Sequence, residues 1–143
     1  MKSAVNQAVS LAEKYGKIYT LGELVHNENV TDFLNRKGAI CIKIEDACNL
    51  QKGDVALIRA HGITKQLEEV LRDRGVVLFD ATCPVVKRNQ KIAEDRAKTG
   101  DDVIIVGDKN HDEVIGIASY AGENCKMVSD TEELPICEKN TSI

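Results

Sequence analysis

Phe79-Asp80-Ala81-Thr82-Cys83-Pro84 is the segment of this chain with the clearest chemical potential. An apolar run, Val76-Val77-Leu78, leads into it, and a polar stretch of helical character, residues 85–98, follows. The pattern predicts a strand that delivers Cys83 to a tight turn at the carboxyl end of a sheet. Pro84 fits the first helical position, where its missing N–H costs nothing. Ligands of open α/β sheets bind at this edge. The partial positive charge of a helix N-terminus favours a negative group beside it, which suits a thiolate acting as nucleophile or metal ligand. The alternative reading of Cys83 is a small buried residue, a common place for a free cysteine.

The chain has three histidines, and all three follow strand-like runs. His26 ends Glu23-Leu24-Val25-His26, between a strand and a helix. His61 lies in Arg59-Ala60-His61-Gly62, directly after the apolar run Val55-Ala56-Leu57-Ile58. His111 lies in Lys109-Asn110-His111-Asp112-Glu113, after Val103-Ile104-Ile105-Val106. One such histidine is ordinarily a plain loop residue. Three of three, with Cys83 placed the same way, predict convergence on one edge of parallel sheets. Imidazoles beside helix N-termini make anion clamps, because they donate hydrogen bonds and can carry positive charge. Gly62 allows close backbone approach next to His61. Glu113 is a candidate proton donor or acceptor, and equally a carboxylate favoured by its helix dipole. Cys41 reads as a core residue within a strand. Cys48, Cys125 and Cys137 lack supporting context.

The elements that must position these residues alternate between helix and strand. Ala4, Val5, Ala8, Val9, Leu11 and Ala12 form an apolar helical face that Gly16 ends. Strands are predicted at residues 18–21, 39–42, 55–58, 76–79, 103–106 and, weakly, 126–128. The apolar runs at 55–58 and 103–106 read as strands buried on both faces. Helices are predicted at 27–36, 64–74, 85–98 and 113–120. Such alternation implies parallel sheets with right-handed crossovers. The fold class is therefore α/β, with two small lobes of parallel sheet and flanking helices: residues 1–83 and 84–143.

Composition removes other classes of function. A net charge of −4 and 3% aromatic residues give neither the basic footprint nor the stacking groups of a nucleic-acid binder. No apolar run has membrane-spanning length. The opening residues lack the apolar core of a signal peptide. Five cysteines with scattered spacing and no C-x-x-C pair fit reduced thiols in a cytoplasm rather than a disulfide framework or zinc ribbon. Both ends read as cut. A helix opens the chain without a preceding strand, and Asn140-Thr141-Ser142-Ile143 follows no closing helix.

Four segments occur in order: Glu23-Leu24-Val25-His26-Asn27, Arg59-Ala60-His61-Gly62, Phe79-Asp80-Ala81-Thr82-Cys83-Pro84 and His111-Asp112-Glu113-Val114-Ile115-Gly116. Together they resemble the 4-hydroxy-3-methylbut-2-enyl diphosphate reductase family, also called LytB or IspH. The resemblance covers essentially the whole chain and about half of the family's length. It implies a three-lobed pseudo-threefold α/β protein around a [4Fe–4S] cluster. It also implies reduction of an allylic diphosphate to isopentenyl and dimethylallyl diphosphate in the methylerythritol phosphate route. An external electron donor such as ferredoxin or flavodoxin is implied as well. On this resemblance Cys83 is a cluster ligand, and His26, His61 and His111 bind the diphosphate. Glu113 is the acid that relays a proton to the leaving hydroxyl.

The resemblance places the family's other two cysteine ligands outside these residues. One lies in a Gly-Phe-Cys-x-Gly motif ahead of the part matching Met1-Lys2-Ser3-Ala4-Val5, the other beyond Ile143. The chain alone is therefore expected to be catalytically inactive. Two other readings are a non-catalytic anion-binding module with a three-His pocket and a thiol enzyme using Cys83 with a nearby histidine.

Overall fold

The computed structural model describes residues 4–129. Cys137, the chain end at Asn140-Thr141-Ser142-Ile143 and the helix start expected near Lys2 lie outside the described residues. The fold divides into two compact units, residues 1–83 and 84–143.

The first unit runs α1 (Ala4–Tyr15), β1 (Ile18–Leu21), α2 (Glu28–Arg36), β2 (Ala39–Ile42), a short 3-10 helix (Ile44–Asn49), β3 (Val55–Ile58), α3 (Lys65–Asp73) and β4 (Val77–Asp80). Its strands are all parallel, in the order β2-β1-β3-β4. The chain leaves β1 for β2 on one side, then returns to place β3 on the other. The order therefore reverses between β1 and β3, where ligands of open α/β sheets bind.

Side chains alternate across this sheet with the period of a strand. Val55 and Leu57 join Ala8, Leu11, Ala12, Ile18, Leu34 and Ala39 in one apolar layer. Ala56 and Ile58 join Leu21, Ala47, Leu50, Ile63, Leu71 and Val76 in the other. Every residue of β3 is buried, as expected of a strand covered on both faces. The helices begin at side-chain caps: Asn27 Oδ1 accepts from the Val30 N–H, and Thr64 Oγ1 accepts from the Leu67 N–H, both at 3.3 Å.

Two local expectations are corrected, and one element is added. Val76 belongs to the end of α3 rather than to β4. Its N–H donates to Leu71 O (3.0 Å), the Gly75 N–H donates to Arg72 O (2.9 Å), and Gly75 has φ +80°. These are the two bonds of a Schellman motif, whose apolar contact joins the flanking Leu71 and Val76. The 3-10 helix at Ile44–Asn49 was not legible, because six residues are too few for a period to emerge. It buries Ala47, and Leu50 after it, over the second apolar layer. Cys41 is half-buried rather than core, because β2 is an edge strand.

The second unit runs α4 (Pro84–Lys98), β5 (Val103–Val106), α5 (Asp112–Ala121), a 3-10 turn (Gly122–Asn124) and β6 (Cys125–Val128). β5 and β6 pair in parallel, and α4 packs along α5. Gly107 lets α5 come close: a Cβ there would lie 3.0 Å from Val114 Cγ2. β5 is half-exposed rather than buried, with Val106 57% accessible. Among the described residues it has one partner strand, so half of its edge lacks a neighbour. No helix of the described residues is long and apolar enough to cross a membrane.

Candidate active site

Three segments reach the carboxyl edge of the first sheet. After β3 the chain turns at Arg59-Ala60-His61-Gly62, where the Gly62 N–H donates to Arg59 O (3.0 Å). Gly62 has φ +77°, a conformation that glycine adopts without steric cost. After β4 the Ala81 N–H continues the ladder to Ile58 O (3.0 Å), and the Cys83 N–H donates to Ala60 O (2.9 Å). Asp80 Oδ1 accepts from the Thr82 N–H (2.9 Å), an Asx turn that bends the chain between strand and cysteine. These bonds fix the Cys83 backbone beside the residue that precedes His61. Cys83 and His61 are both half-buried, and the Cys83 thiol is free.

His26 lies on the segment between β1 and α2. Its Nδ1 donates to Glu23 Oε2 at 3.0 Å, and its side chain is 83% exposed. A ring that donates from Nδ1 presents Nε2 on its other side. Nε2 donates to an anion only when the ring carries both protons.

The third strand end of the first sheet carries a contact that the sequence did not reveal. Gly22 directly follows β1 with φ +84°. A Cβ at Gly22 would lie 3.0–3.1 Å from Cδ, Nε and Cζ of Arg59. The guanidinium stem therefore lies against the Gly22 backbone, between the ends of β1 and β3.

In the second unit the loop after β5 turns through the Asn110 N–H bond to Asp108 Oδ1 (2.9 Å). His111 is the N-cap of α5: its Nδ1 accepts from the Glu113 N–H at 3.3 Å. A ring nitrogen that accepts carries no proton, so the proton of this imidazole sits on Nε2. Glu113 stands in the first turn of α5, where the helix dipole favours a carboxylate. His111 and Glu113 are thus joined by one local bond, whereas in the first unit Cys83 is bonded to Ala60, the neighbour of His61.

Among the described residues no three His, Cys, Asp or Glu side chains are grouped to hold a metal ion. Burial pushes the Cys125 thiol up from its ordinary range, so this cysteine is held as a neutral thiol. Sequence reasoning missed three features: the Gly22–Arg59 contact, the pairing of His26 with Glu23, and the capping role of His111. A histidine two residues before a glutamate at a helix start is a legible signal for the last.

Comparison with known proteins bears on the whole arrangement. The LytB protein family model matches residues 1–142. A 4-hydroxy-3-methylbut-2-enyl diphosphate reductase of Caldanaerobacter subterraneus subsp. tengcongensis is 42% identical over 148 residues, covering 97% of this chain and 51% of the relative. The protein of the same name from Clostridium perfringens is 40% identical, covering 94% of this chain and 48% of its own. The solved structure of (E)-4-hydroxy-3-methyl-but-2-enyl diphosphate reductase, the terminal enzyme of the non-mevalonate pathway, aligns with TM-score 0.73 at 36% identity, covering 90% of this chain and 48% of that one. The Plasmodium falciparum E-1-hydroxy-2-methyl-but-2-enyl-4-diphosphate reductase aligns with TM-score 0.78 at 30% identity, over 94% and 44%. The chain thus spans about half the length of the relatives it matches. A family match that runs through nearly every residue, and shares its fold with the solved reductases, makes this chain a member of the LytB protein family.

Proposed function

We propose that these residues form part of the active site of an iron–sulfur reductase acting on 4-hydroxy-3-methylbut-2-enyl diphosphate and releasing isopentenyl and dimethylallyl diphosphate. The observation that carries the reading is the tether from the Cys83 N–H to Ala60 O, which holds the backbone of half-buried Cys83 beside the His61 turn at a sheet's carboxyl edge. Its support is the membership of this chain in the LytB family.

A free, half-buried thiol at a strand end fits one thiolate ligand of a [4Fe–4S] cluster. The described residues do not supply the remaining ligands. When bound, such a cluster supplies electrons, delivered by a small redox protein of the ferredoxin or flavodoxin class in the cytoplasm.

The chain's own residues bind, orient and protonate. His61 offers an N–H donor to phosphate oxygens at the edge of the first sheet, and His26 does so from Nε2 when its ring carries both protons. Nε2–H of His111 does so from the start of α5, its direction fixed by the cap bond at Nδ1. The hydroxyl leaves as water only when a proton reaches it. Glu113 relays that proton, its backbone placed in the first turn of α5 and by the bond from its N–H to His111 Nδ1.

A chimera tests the reading: these 143 residues replace the matching half of the Caldanaerobacter relative. The chimera should reduce the allylic diphosphate, and Cys83→Ser should abolish turnover. Diphosphate binding without turnover in a folded chimera would instead favour an anion-binding module with a three-His pocket.

A further inference from the structure

The point where the strand order reverses in the first unit is occupied by a residue that the four recognised segments leave without a role. Arg59 is the first residue after β3, and Gly22 the first after β1. The two strands are hydrogen-bonded neighbours, with Leu21 in register with Ile58. In open α/β sheets the crevice at this reversal is where ligands sit.

One observation places the Arg59 side chain there, and a second fixes its backbone. Gly22 has no Cβ and holds φ +84°, so the stem of Arg59 passes across its backbone, and any side chain at Gly22 would meet Cδ, Nε and Cζ at 3.0–3.1 Å. The Arg59 carbonyl is also the acceptor that closes the His61 turn, through Gly62 N–H at 3.0 Å. The next residue, Ala60, accepts from Cys83 N–H at 2.9 Å. Guanidinium, imidazole and thiol thus emerge from one stretch of four residues and its backbone-bonded neighbour.

We propose that Arg59 binds the diphosphate of the substrate as a permanent cation at this crevice. The inference rests on the reading given under Proposed function, and it adds a group with different chemistry. An imidazole donates from one nitrogen when neutral and changes charge near neutral pH. A guanidinium stays charged at every working pH and presents a planar fork that matches two phosphate oxygens. Its direction is set by the Gly22 backbone, so little side-chain freedom is lost on binding.

The test measures inorganic diphosphate binding to the 143-residue chain by titration calorimetry, with urea unfolding of each variant alongside. Arg59→Gln should weaken binding by at least about tenfold, and Arg59→Lys by less, with both unfolding near the wild-type midpoint. His61→Ala serves as the reference loss. Phenylglyoxal labelling of the wild-type chain, mapped by mass spectrometry, gives a readout that needs no variant to fold: saturating diphosphate should protect Arg59. Wild-type affinity in Arg59→Gln with a loss in His61→Ala would overturn the role of Arg59 and leave the imidazole site standing. Labelling of Arg59 unchanged by diphosphate would overturn it too. No diphosphate binding by the wild-type chain would overturn both Arg59 and the anion site.

Discussion

Replacing Gly38 with alanine should cost the first unit far more stability than the same change at Gly53. Both glycines precede a strand at the amino edge of the sheet, and both hold φ near +90°. An alanine there pays the backbone strain of the left-handed region, about 1–2 kcal/mol. At Gly53 nothing else is added, because no heavy atom lies within 4 Å of the new methyl. At Gly38 the methyl would lie 2.5 Å from the carbonyl oxygen of Gly16, a backbone atom that cannot rotate away. Gly38 is also held by its own carbonyl, which accepts from the Ile18 N–H at 2.9 Å and starts the β1–β2 ladder. Relief of the clash must move one of these turns, adding about 1–3 kcal/mol by analogy with overpacked cores. Urea unfolding followed by far-UV circular dichroism reads the difference. With a slope of about 2 kcal/mol/M, Gly53→Ala should lower the midpoint by roughly 0.5–1 M and Gly38→Ala by roughly 1–2.5 M. Coincident midpoints would refute the reasoning, because the two sites differ chiefly in the Gly16 contact.

His111→Ala should lose both a cap and a ligand, destabilising α5 by about 1 kcal/mol, whereas His111→Asn should retain the cap and lose only diphosphate affinity; calorimetric titration and thermal unfolding separate the two. In an active chimera, His61→Ala should mainly raise KM, and Glu113→Gln should mainly lower kcat, because a clamp holds ground and transition states alike while a proton donor acts during bond cleavage. Unchanged kcat in Glu113→Gln would remove it as the acid. Timed alkylation with mass mapping should label exposed Cys48 before Cys125, whose thiol burial holds neutral. The sign for stability follows from that raised thiol: the folded chain keeps a proton that the unfolded chain gives up, so this contribution is lost as pH climbs through and above the usual thiol range. Cys125→Ala should therefore flatten the alkaline decline of the unfolding midpoint. Reconstituted anaerobically with iron and sulfide, the 143 residues alone should not retain a stable cluster after desalting, because the described residues group no three ligating side chains.

Most of the architecture was legible because its signals are local. Apolar runs such as Val55–Ile58 are dictated by burial on both faces, and the stops at Gly16, Gly38 and Gly75 mark backbone conformations that other residues avoid. What escaped depends on packing. Val76 belongs to a strand by composition and to a helix end by hydrogen bonding, and only the Gly75 turn decides between them. The exposure of Val106 depends on which strands flank β5, which its own residues do not encode. In the proposed site, residue type drew attention to His61 and Cys83 after strands and to Glu113 at a helix start. Arg59 was hidden because a surface arginine is ordinarily solvated. Its contact with Gly22 joins residues 37 positions apart through neighbouring strands.

The most direct test of the account is the iron and sulfide content of the chimera with each described cysteine replaced in turn by serine. Cys83→Ser should lose the cluster and its visible absorbance, while Cys41→Ser, Cys48→Ser and Cys125→Ser retain both. A cluster that survives Cys83→Ser at full stoichiometry would contradict the assignment on which the proposed function rests.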